Sequence, residues 1–355
     1  MHDEISAILT DWYREHGREL PWRQTDDPYA IWISEIILQQ TRVAQGLDYY
    51  RRFLERFPDI RTLAEAEEDE VLKYWQGLGY YSRARSLHAA ARDMVARFGG
   101  RFPRNHEQVL SLKGIGAYTA AAICSFAYRQ PYAVVDGNVF RVLSRLFDSD
   151  LPIDGTKGKQ YFAELAAALL DPANPDLHNQ AMMDFGALQC TPKSPGCGTC
   201  PLNHRCLALR NGTVDKRPVK EGKTTVRPRY FNYLHIRCGE TVLLNRRENK
   251  DIWQNLYEYP LIETPSAVSF GQLQETDAFR DMFRETPFTV RGSVEMPKHV
   301  LSHRIIHARF YRLDVPEFAS GMEKFLKIAE PETERYAVSR LIELYREGKG
   351  IPLLF

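Results

Sequence analysis

Four cysteines lie within seventeen residues near the middle of the 355-residue chain, at Cys190, Cys197, Cys200 and Cys206. Their spacing is Cys-x6-Cys-x2-Cys-x5-Cys. Four thiolates this close in sequence can surround one metal centre, which is either a zinc ion or an iron–sulfur cluster. On spacing alone both centres stay open, and His204 is a possible substitute ligand for zinc.

Disulfide bonds are the simpler interpretation of these cysteines, but the rest of the chain argues against it. Disulfide staples are typical of small secreted proteins, whereas this chain is long and its N-terminus lacks the basic-then-apolar pattern of a secretion signal. Apolar residues from Ile5 to Trp12 instead recur at helical spacing. No apolar run is long enough to cross a bilayer. We therefore expect a soluble, cytoplasmic protein with no membrane contact.

The first two hundred residues have almost entirely helical patterns. Asp27 and Pro28 predict a helix start, with the acid as cap and proline at the first helical position, and the helix is predicted to run through Gln40. Further helices are predicted over about 43–57, 67–75, 82–98, 107–112, 117–129, 137–147, 156–171 and 177–188, separated by proline and glycine.

The character of the sequence changes after Cys206. Residues 211–229 are rich in lysine and arginine, with glycine and proline among them, and are predicted to form a poorly packed basic linker. Whether that linker contacts DNA phosphate or only spans the domains stays open, because the net charge of +1 neither demands nor excludes nucleic acid. Strands are predicted over 230–237, 241–245 and 308–313, and a last helix near 337–347. The predicted architecture is a mainly α part over 1–210 and an α+β domain over 230–355.

A second motif lies at residues 112–120, Leu-Lys-Gly-Ile-Gly-Ala-Tyr-Thr-Ala. Gly114 and Gly116, between two helical patterns, allow a tight hairpin whose backbone N–H groups face outward at a helix N-terminus. Such a turn suits a DNA phosphate, because the donors and the helix dipole both favour an anion. Alone the motif is weak, since many such turns are simple connectors. It becomes specific when Asp136-Gly137-Asn138 and the four cysteines follow it.

Together these motifs resemble the endonuclease III superfamily of DNA glycosylases, and within it the adenine DNA glycosylases of the MutY type. The resemblance covers nearly all of residues 4–210. The segments that carry it, besides the hairpin and the cysteines, are Pro21–Arg23, Ser34–Thr41, Gly77–Ala84, Val135–Val139 and Asn179–Asp184. It implies a six-helix barrel with a helix-hairpin-helix, and one [4Fe–4S] cluster in preference to zinc. The cluster would brace the 190–206 loop, which carries Lys193, His204 and Arg205 toward DNA.

Two carboxylates are the candidates for the chemistry. Removal of adenine breaks a glycosidic bond through a transition state with oxocarbenium character, so one group must protonate the base and another must stabilise the sugar cation. Glu35 lies among apolar residues that raise a carboxyl pKa, and the resemblance makes it the proton donor. Asp136 should stay ionised at a helix start, and it matches the residue that stabilises or covalently traps the cation. The simpler interpretations are a surface glutamate and a helix cap.

Tyr118 separates the subfamilies. Bifunctional relatives, which cut the DNA backbone through a Schiff base, have a lysine at this position of the hairpin motif. A phenol cannot do that covalent chemistry, so Tyr118 favours a monofunctional enzyme that leaves an abasic site uncut. The resemblance also implies that Tyr118 and Asn138 position Asp136 and the attacking water.

The resemblance further assigns contacts with a flipped-out base and its partner. Extrusion of a base costs a few kcal/mol of unstacking, which inserted side chains offset. Gln40 and Tyr80 match residues that wedge into the duplex, and Leu38 and Thr41 match positions that contact the base opposite adenine. The basic candidates are Arg23, beside the adenine pocket, and Arg83 and Arg85, as phosphate contacts.

The C-terminal region resembles, more weakly, the Nudix-like recognition domain of these glycosylases. Ser302 and His303 match the end of a Phe-Ser-His loop that inspects 8-oxoguanine. Leu301 replaces the aromatic residue, so we expect stacking by that position to be lost and lesion discrimination to be weaker. The glutamate-rich array with which a Nudix hydrolase holds metal is absent from the sequence, which argues against pyrophosphatase activity.

The sequence therefore predicts a monomeric, nucleoid-associated bacterial repair glycosylase. Its expected partner is double-stranded DNA with adenine opposite 8-oxoguanine or guanine. Three alternatives were weighed. A bifunctional pyrimidine-lesion glycosylase is opposed by Tyr118 and by Glu35 in its Leu-Gln-Gln-Thr context. A non-catalytic iron–sulfur DNA sensor is opposed by the presence of both carboxylates, Glu35 and Asp136. A zinc-stabilised interaction module would have no use for the wedge residues.

Overall fold

Helix starts follow the caps that the sequence contains. In the computed structural model, which describes residues 2–222 and 225–353, Asp27 caps the helix that begins at Pro28, and its carboxylate accepts a hydrogen bond from the Tyr29 amide at 3.0 Å. The helix ends at Leu38, so the predicted end at Gln40 was wrong. Gln40 has a φ of 57°, in the left-handed region, which a continuing right-handed helix cannot include.

The other predicted helices of the first 200 residues are confirmed with small shifts of their ends, and a short helix at residues 60–65 was missed. A π-helix over Phe185–Gln189 replaces the predicted continuation of the last one to 188. The α-helices are α1 (His2–His16), α2 (Pro28–Leu38), α3 (Val43–Arg56), α4 (Ile60–Glu65), α5 (Glu68–Trp75), α6 (Ser82–Phe98), α7 (His106–Leu110), α8 (Ala117–Tyr128), α9 (Gly137–Leu146), α10 (Thr156–Leu169), α11 (Pro175–Asp184) and α12 (Leu207–Arg210). No helix in the described ranges is both long and apolar enough to span a membrane.

The described residues divide into two units by their contacts. The first unit holds residues up to 65 and 89–222, and the second holds 66–88 and 225–353. In the first unit, α2 is buried along every residue from Tyr29 to Ile37, which makes it a central helix. A second apolar cluster joins α1 to α9, α10 and α11 through residues such as Leu9, Leu143 and Phe162.

One buried carboxylate ties the N-terminal segment to the end of α11. The Asp184 side chain has no solvent exposure and accepts hydrogen bonds from the Arg23 Nη1 and Nη2 atoms at 2.7 and 2.8 Å. It also accepts from the backbone amide and Nε of Arg18, each at 2.9 Å. Burial alone would raise the pKa of this carboxyl, but the hydrogen bonds from Arg23 and Arg18 lower the pKa to about 2.

Residues 211–222 of the predicted linker belong to the first unit and are hydrogen-bonded to it, and none of them is buried. The Ile153 amide donates to the Val219 carbonyl at 3.0 Å. The Asp154 carboxylate accepts from the backbone amides of Glu221 and Gly222 at 3.0 and 2.9 Å. These contacts fix the path of the chain as it leaves the helical region.

A mixed sheet forms the centre of the second unit, in the order β3-β2-β1-β7-β5-β9, with β4 paired to β1, β6 to β7 and β8 to β2. The central pair, β1 and β7, is parallel over eleven residues, from Arg227 opposite Arg304 to Arg237 opposite Asp314. The strands are β1 (Arg227–Cys238), β2 (Thr241–Arg246), β3 (Tyr257–Glu258), β4 (Leu261–Thr264), β5 (Thr289–Glu295), β6 (His299–Val300), β7 (Arg304–Asp314), β8 (Leu326–Ala329) and β9 (Ile351–Leu353). The three predicted strands correspond to β1, β2 and β7.

Both faces of this sheet are buried. Phe231 and Tyr233 of β1 lie in one apolar cluster, while Leu234 and Ile236 lie in the other, as the two-residue period of a strand requires. The helix α15 (Arg340–Arg346), predicted near 337–347, contributes to the first cluster. The helices α13 (Phe270–Gln274) and α14 (Asp277–Phe283) contribute to the second. An α+β domain, as predicted, is the result.

The Asp184 contacts lead to a stability prediction. Replacement of Asp184 by Asn leaves two guanidinium groups without their buried counter-charge, so we expect the variant to lose roughly 3–5 kcal/mol of stability. The pKa is lowered in the folded state, so the carboxylate stabilises the protein above its unfolded pKa of about 4. That contribution is lost as the pH falls from about 4 toward 2.

Thermal unfolding followed by circular dichroism at pH 7 and at pH 3 measures both effects. The matched control is Asp11→Asn, which breaks an ion pair between Asp11 and Arg14 on an exposed face of α1 and should change stability by about 0.5 kcal/mol or less. Equal melting temperatures for the two variants at pH 7 would contradict the argument.

Candidate active site

Eight of the residues predicted as functional line one cavity of about 440 Å³ in the first unit. Its walls come from the end of α2, the start of α8, the start of α9 and the short turn before α2. The lining residues that the sequence predicted are Arg23, Glu35, Leu38, Gln40, Thr41, Tyr118, Asp136 and Asn138. Side chains separated by up to 115 positions in sequence (Arg23 and Asn138) therefore face a common space.

Glu35 is a buried carboxyl on an otherwise apolar helix. Only 7% of the residue is exposed. Burial raises the pKa of Glu35 to about 7, as its apolar neighbours led us to expect. A hydrogen bond with Tyr118 lowers this pKa, the nearby Asp136 raises it, and Arg23 lowers it. A carboxyl with this pKa is protonated in a large fraction of molecules at neutral pH, so it can deliver a proton.

Asp136 is the N-cap of α9, and its carboxylate is held by three donors. Oδ1 accepts from the backbone amides of Asn138 and Val139 at 2.8 and 2.7 Å, and Oδ2 accepts from the Asn138 side-chain amide at 2.7 Å. Burial raises the pKa of Asp136, while these hydrogen bonds oppose the increase. The helix start also favours the charged form. This environment differs from that of Glu35, which has one hydrogen-bond partner instead of three.

Tyr118 lies in the first turn of α8 and connects to Glu35 by a hydrogen bond. Burial raises the pKa of its phenol well above 10, and the charges of Glu35 and Asp136 raise it further. The phenol therefore keeps its proton and acts as a donor toward the carboxyl. It supplies no amine, in agreement with the distinction drawn from the sequence.

Sequence reasoning missed two residues that position this site. The Asp184 carboxylate accepts hydrogen bonds from both Nη groups of Arg23. The guanidinium beside the cavity is therefore fixed in place, and its charge is already neutralised. Arg141 donates from Nη2 to the Asn138 Oδ1 at 2.8 Å and from Nε to the Cys190 carbonyl at 2.7 Å. A charged residue on a face of α9 that is otherwise buried was the available signal for Arg141, and a carboxylate at the end of an apolar helix was the signal for Asp184.

The hairpin has the backbone geometry that the sequence predicted. Gly114 has a φ of 80°, which favours glycine, and Gly116 is the N-cap of α8. Gly116 has no side chain to cap that helix start, so the first amides of α8 receive no side-chain cap. Gln40 is exposed, with its left-handed backbone presenting it at the mouth of the cavity that it lines.

The four cysteines of the predicted cluster are neighbours. Burial raises the pKa of the Cys200 thiol to about 11, and the proximity of Cys190, Cys206 and Cys197 raises it further. Across the described parts of the chain, however, no three His, Cys, Asp or Glu side chains are arranged as ligands of a metal ion. Four soft sulfur donors, three of which (Cys190, Cys200 and Cys206) pack against the apolar core, form a donor set that fits a thiolate-bound centre.

The basic residues near the cysteines make contacts that the sequence did not indicate. Arg145 is buried, and its Nη1 atom lies 3.4 Å from the Cys190 sulfur and 2.7 Å from the Thr191 carbonyl. Arg205, predicted to face DNA, forms an ion pair with Glu4. His204 and Lys193 are exposed.

Tyr80, Ser302 and His303 line a second cavity, of about 560 Å³, within the second unit. The Tyr80 hydroxyl and the Ser302 Oγ lie 2.6 Å apart. Tyr80 is 46% exposed, so it is not an ordinary core residue. Leu301 packs against the apolar core of the unit. This contact directs the side chain toward the core, and the expected loss of stacking at this position stays a prediction.

Arg83 and Arg85 are bound to backbone carbonyls, and their role as phosphate contacts stays a prediction. Arg85 donates to the Gln254 carbonyl at 2.7 Å. Arg83 lies over the rings of Trp75 and Tyr80, and one of its Nη atoms is 3.3 Å from the Gly79 carbonyl. Burial lowers the pKa of Arg83 to about 10. The Arg83 side chain thereby supports the turn that carries Tyr80.

The chain is similar to known repair proteins in both of its regions. Residues 33–168 match the HhH-GPD superfamily of base excision DNA repair proteins, and residues 232–347 match the NUDIX domain. Among solved structures, a thermostable thymine-DNA glycosylase aligns with a TM-score of 0.56 and 29% identity, covering 59% of this chain and 97% of that one. An endonuclease III in complex with DNA aligns with a TM-score of 0.51 and 21% identity over 60% of this chain and 98% of that one, which shows the fold.

Adenine DNA glycosylases from bacteria and eukaryotes are similar to large parts of this chain. The adenine DNA glycosylase of Buchnera aphidicola subsp. Baizongia pistaciae is 35% identical over 258 residues, which cover 71% of this chain and 72% of that protein. The mouse adenine DNA glycosylase is 44% identical over 57% of this chain and 41% of its own length. The Arabidopsis thaliana enzyme is 35% identical over 91% of this chain and 59% of its own length. These similarities and the helical fold around a buried glutamic acid lead to the same family. The chain belongs to the adenine DNA glycosylases, base-excision repair enzymes that remove adenine from DNA.

Proposed function

We propose that this glycosylase removes adenine paired with 8-oxoguanine or guanine in duplex DNA and leaves the abasic site uncut. The observation that carries the proposal is one cavity with two carboxyl groups in different environments, Glu35 and Asp136. Such a pair divides the roles of acid and cation stabiliser. We also propose that residues 1–210 form the catalytic region, 211–229 the linker and 230–355 the domain that recognises the partner base.

Glu35 acts as the general acid. Its carboxyl transfers a proton to a ring nitrogen of adenine while the bond between that base and the sugar breaks, so the base leaves as a neutral molecule. Positive charge then develops on the sugar. A pKa near 7 matches this task, because the group is protonated before the reaction and gives up its proton readily during it.

Asp136 stabilises the sugar cation. Its carboxylate, held by two backbone amides and the Asn138 side chain, forms a transient bond to the anomeric carbon, and water then replaces it. Arg141 supports Asn138 from the opposite side. Because Tyr118 provides no amine, no Schiff base forms and the DNA backbone stays intact.

The wedge and recognition residues complete the proposal. Gln40 at the mouth of the first cavity enters the duplex, with Leu38 and Thr41 beside it. Tyr80 with Ser302 and His303 contacts the base opposite adenine. Gly114 and Gly116 offer backbone amides to a DNA phosphate. The protein acts as a monomer on chromosomal DNA.

We further propose that Cys190, Cys197, Cys200 and Cys206 hold one [4Fe–4S] cluster. The donor set and the burial beside Phe185 and Leu202 support it. The cluster, when bound, supplies a rigid link between the 190–206 loop and the core and no step of base removal. Arg145 would contribute a hydrogen bond to the Cys190 sulfur.

The first test of the proposed function replaces the general acid, Glu35. Glu35→Gln keeps the shape of the side chain but removes its acidic proton. We therefore expect the single-turnover rate of adenine release opposite 8-oxoguanine to fall by a factor of about 10²–10⁴. The parent rate should decrease as the pH rises above about 7, because Glu35 then ionises. The variant should lack that decrease.

Strand breaks after alkali, measured on a gel, report the abasic product, and breaks without alkali report a lyase. The matched control is Glu55→Gln, on an exposed face of α3, which should leave the rate unchanged. A parent enzyme that breaks strands without alkali would contradict the monofunctional assignment. A parent that binds the duplex without releasing adenine would support a non-catalytic sensor.

Tyr118→Phe tests the phenol. The hydrogen bond from Tyr118 lowers the pKa of Glu35, so its removal should raise that pKa and shift the alkaline decline of the rate to higher pH. We expect the rate at pH 6 to fall by about tenfold or less, the size of one lost hydrogen bond. A decline at unchanged pH in the pH–rate profile would contradict the contact.

Metal analysis of the purified protein tests the cluster. We expect about four iron atoms and matching sulfide per chain, and loss of both in Cys200→Ser. The control Cys238→Ser, outside the group of four, should keep them. One zinc per chain without sulfide would instead support the zinc alternative.

A further inference from the structure

We propose that Gln76 is a positioning residue for recognition of the base opposite adenine, because it fastens the turn that carries Tyr80 to the C-terminal part of the same unit, which carries Ser302. The inference rests on the proposed function and deepens it. Gln76 would touch neither the base nor the DNA backbone, and it would act through Tyr80.

The turn that carries Tyr80 has a fixed and unusual backbone. Gly77, Gly79 and Tyr80 have φ values of 95°, 72° and 46°, all in the left-handed region. For Tyr80 this conformation costs energy, so the surroundings must hold it. The Trp75 indole N–H donates to the Gly79 carbonyl at 3.1 Å, which supports the turn from inside.

Gln76 and Tyr81 hold the turn to a single buried residue of the second unit. The Gln76 Oε1 accepts from the Val338 amide at 3.1 Å, and the Tyr81 hydroxyl donates to the Val338 carbonyl at 3.1 Å. Val338 is fully buried and pairs with Tyr257 in a short parallel bridge. The Gln76 Nε2 also donates to the Glu343 carboxylate. Both ends of the Gln76 amide are therefore used, and its orientation is fixed.

The exposed end of the turn meets a different loop of the same unit. The Tyr80 hydroxyl lies 2.6 Å from the Ser302 Oγ, on the loop between β6 and β7. The turn thus spans two attachment points, Val338 and Ser302, and a shift at the first changes the geometry at the second.

Discrimination between 8-oxoguanine and guanine requires that Tyr80 and Ser302 are held accurately in position. The two bases differ by an oxygen at C8 and a proton at N7, so the difference is recognised through one or two hydrogen bonds. Recognition groups must be held to within about 0.5 Å for such bonds to form. Loss of the Gln76 contacts should therefore weaken selection of the partner base more than it weakens bond cleavage.

The test compares single-turnover rates on two duplexes, with adenine opposite 8-oxoguanine and opposite guanine. For Gln76→Ala we expect the ratio of the two rates to fall about fivefold or more, the effect of one to two hydrogen bonds. The matched control is Gln160→Ala, which removes a similar bond from a glutamine Nε2 to Glu164, at 2.9 Å on an exposed face of α10. Its ratio should equal that of the parent.

A charge swap provides a rescue. Gln76→Glu places two carboxylates in contact and should lower the ratio, whereas Gln76→Glu combined with Glu343→Gln restores an amide opposite a carboxylate and should recover it. Hydrogen exchange of the peptide that contains Val338 gives a readout without DNA, because its amide donates to Gln76. That amide should exchange faster in Gln76→Ala.

The outcomes separate the two proposals. If the parent releases adenine from neither duplex, the proposed function fails and the inference fails with it. If the parent shows the preference and Gln76→Ala keeps the same ratio, or slows both duplexes equally, the inference alone is overturned. Unchanged exchange of the Val338 peptide would contradict the contact itself.

Discussion

The chemistry of the first unit depends on the cost of keeping a negative charge at Glu35 away from water. Helix α2 is apolar along nearly its whole length and is buried as a central helix, so its single carboxyl has almost no access to solvent. Ionisation there is unfavourable, and burial raises the pKa of Glu35 to about 7. The apolar run that makes α2 part of the core therefore also makes Glu35 an acid. Fold and reactivity have the same physical cause at this position.

Burial raises the pKa of the second carboxyl of the cavity as well, but the hydrogen-bond partners of that carboxyl differ. The Asp136 carboxylate accepts hydrogen bonds from two backbone amides and from the Asn138 side-chain amide, and all three bonds favour the ionised form. Arg23, which would favour ionisation of Glu35, is bound in two places by Asp184. Its positive charge is thereby balanced by a neighbour, which leaves Glu35 free to stay protonated. The Asp184 pair supports the difference between the two carboxyls as well as the packing of the N-terminal segment.

The sequence predicted what local patterns control and missed what distant partners control. Most helices and three strands follow from caps and periodicity, as the helix capped by Asp27 illustrates. The end of α2 was predicted two residues too late, since nothing local indicates the left-handed backbone of Gln40. The role of Asp184 depends on Arg18 and Arg23, more than 160 positions away. The packing of Leu301 against the core of its unit was not predicted, because sequence does not show which way a loop side chain points.

The position of Tyr80 illustrates a more general difference between order in the sequence and grouping in space. Residues 66–88 lie inside the region that matches the HhH-GPD superfamily, yet their contacts place them in the unit that contains the C-terminal sheet. The hydrogen bonds responsible include Tyr257 to Asp69 and Val338 to Gln76, which join residues 188 and 262 positions apart. A family match is defined by similarity along the sequence, whereas a compact unit is defined by the residues that pack together in space. Tyr80, from the region that matches the HhH-GPD superfamily, and the loop of Ser302, from the region that matches the NUDIX domain, share one unit, so the geometry between them is set by that unit's own packing.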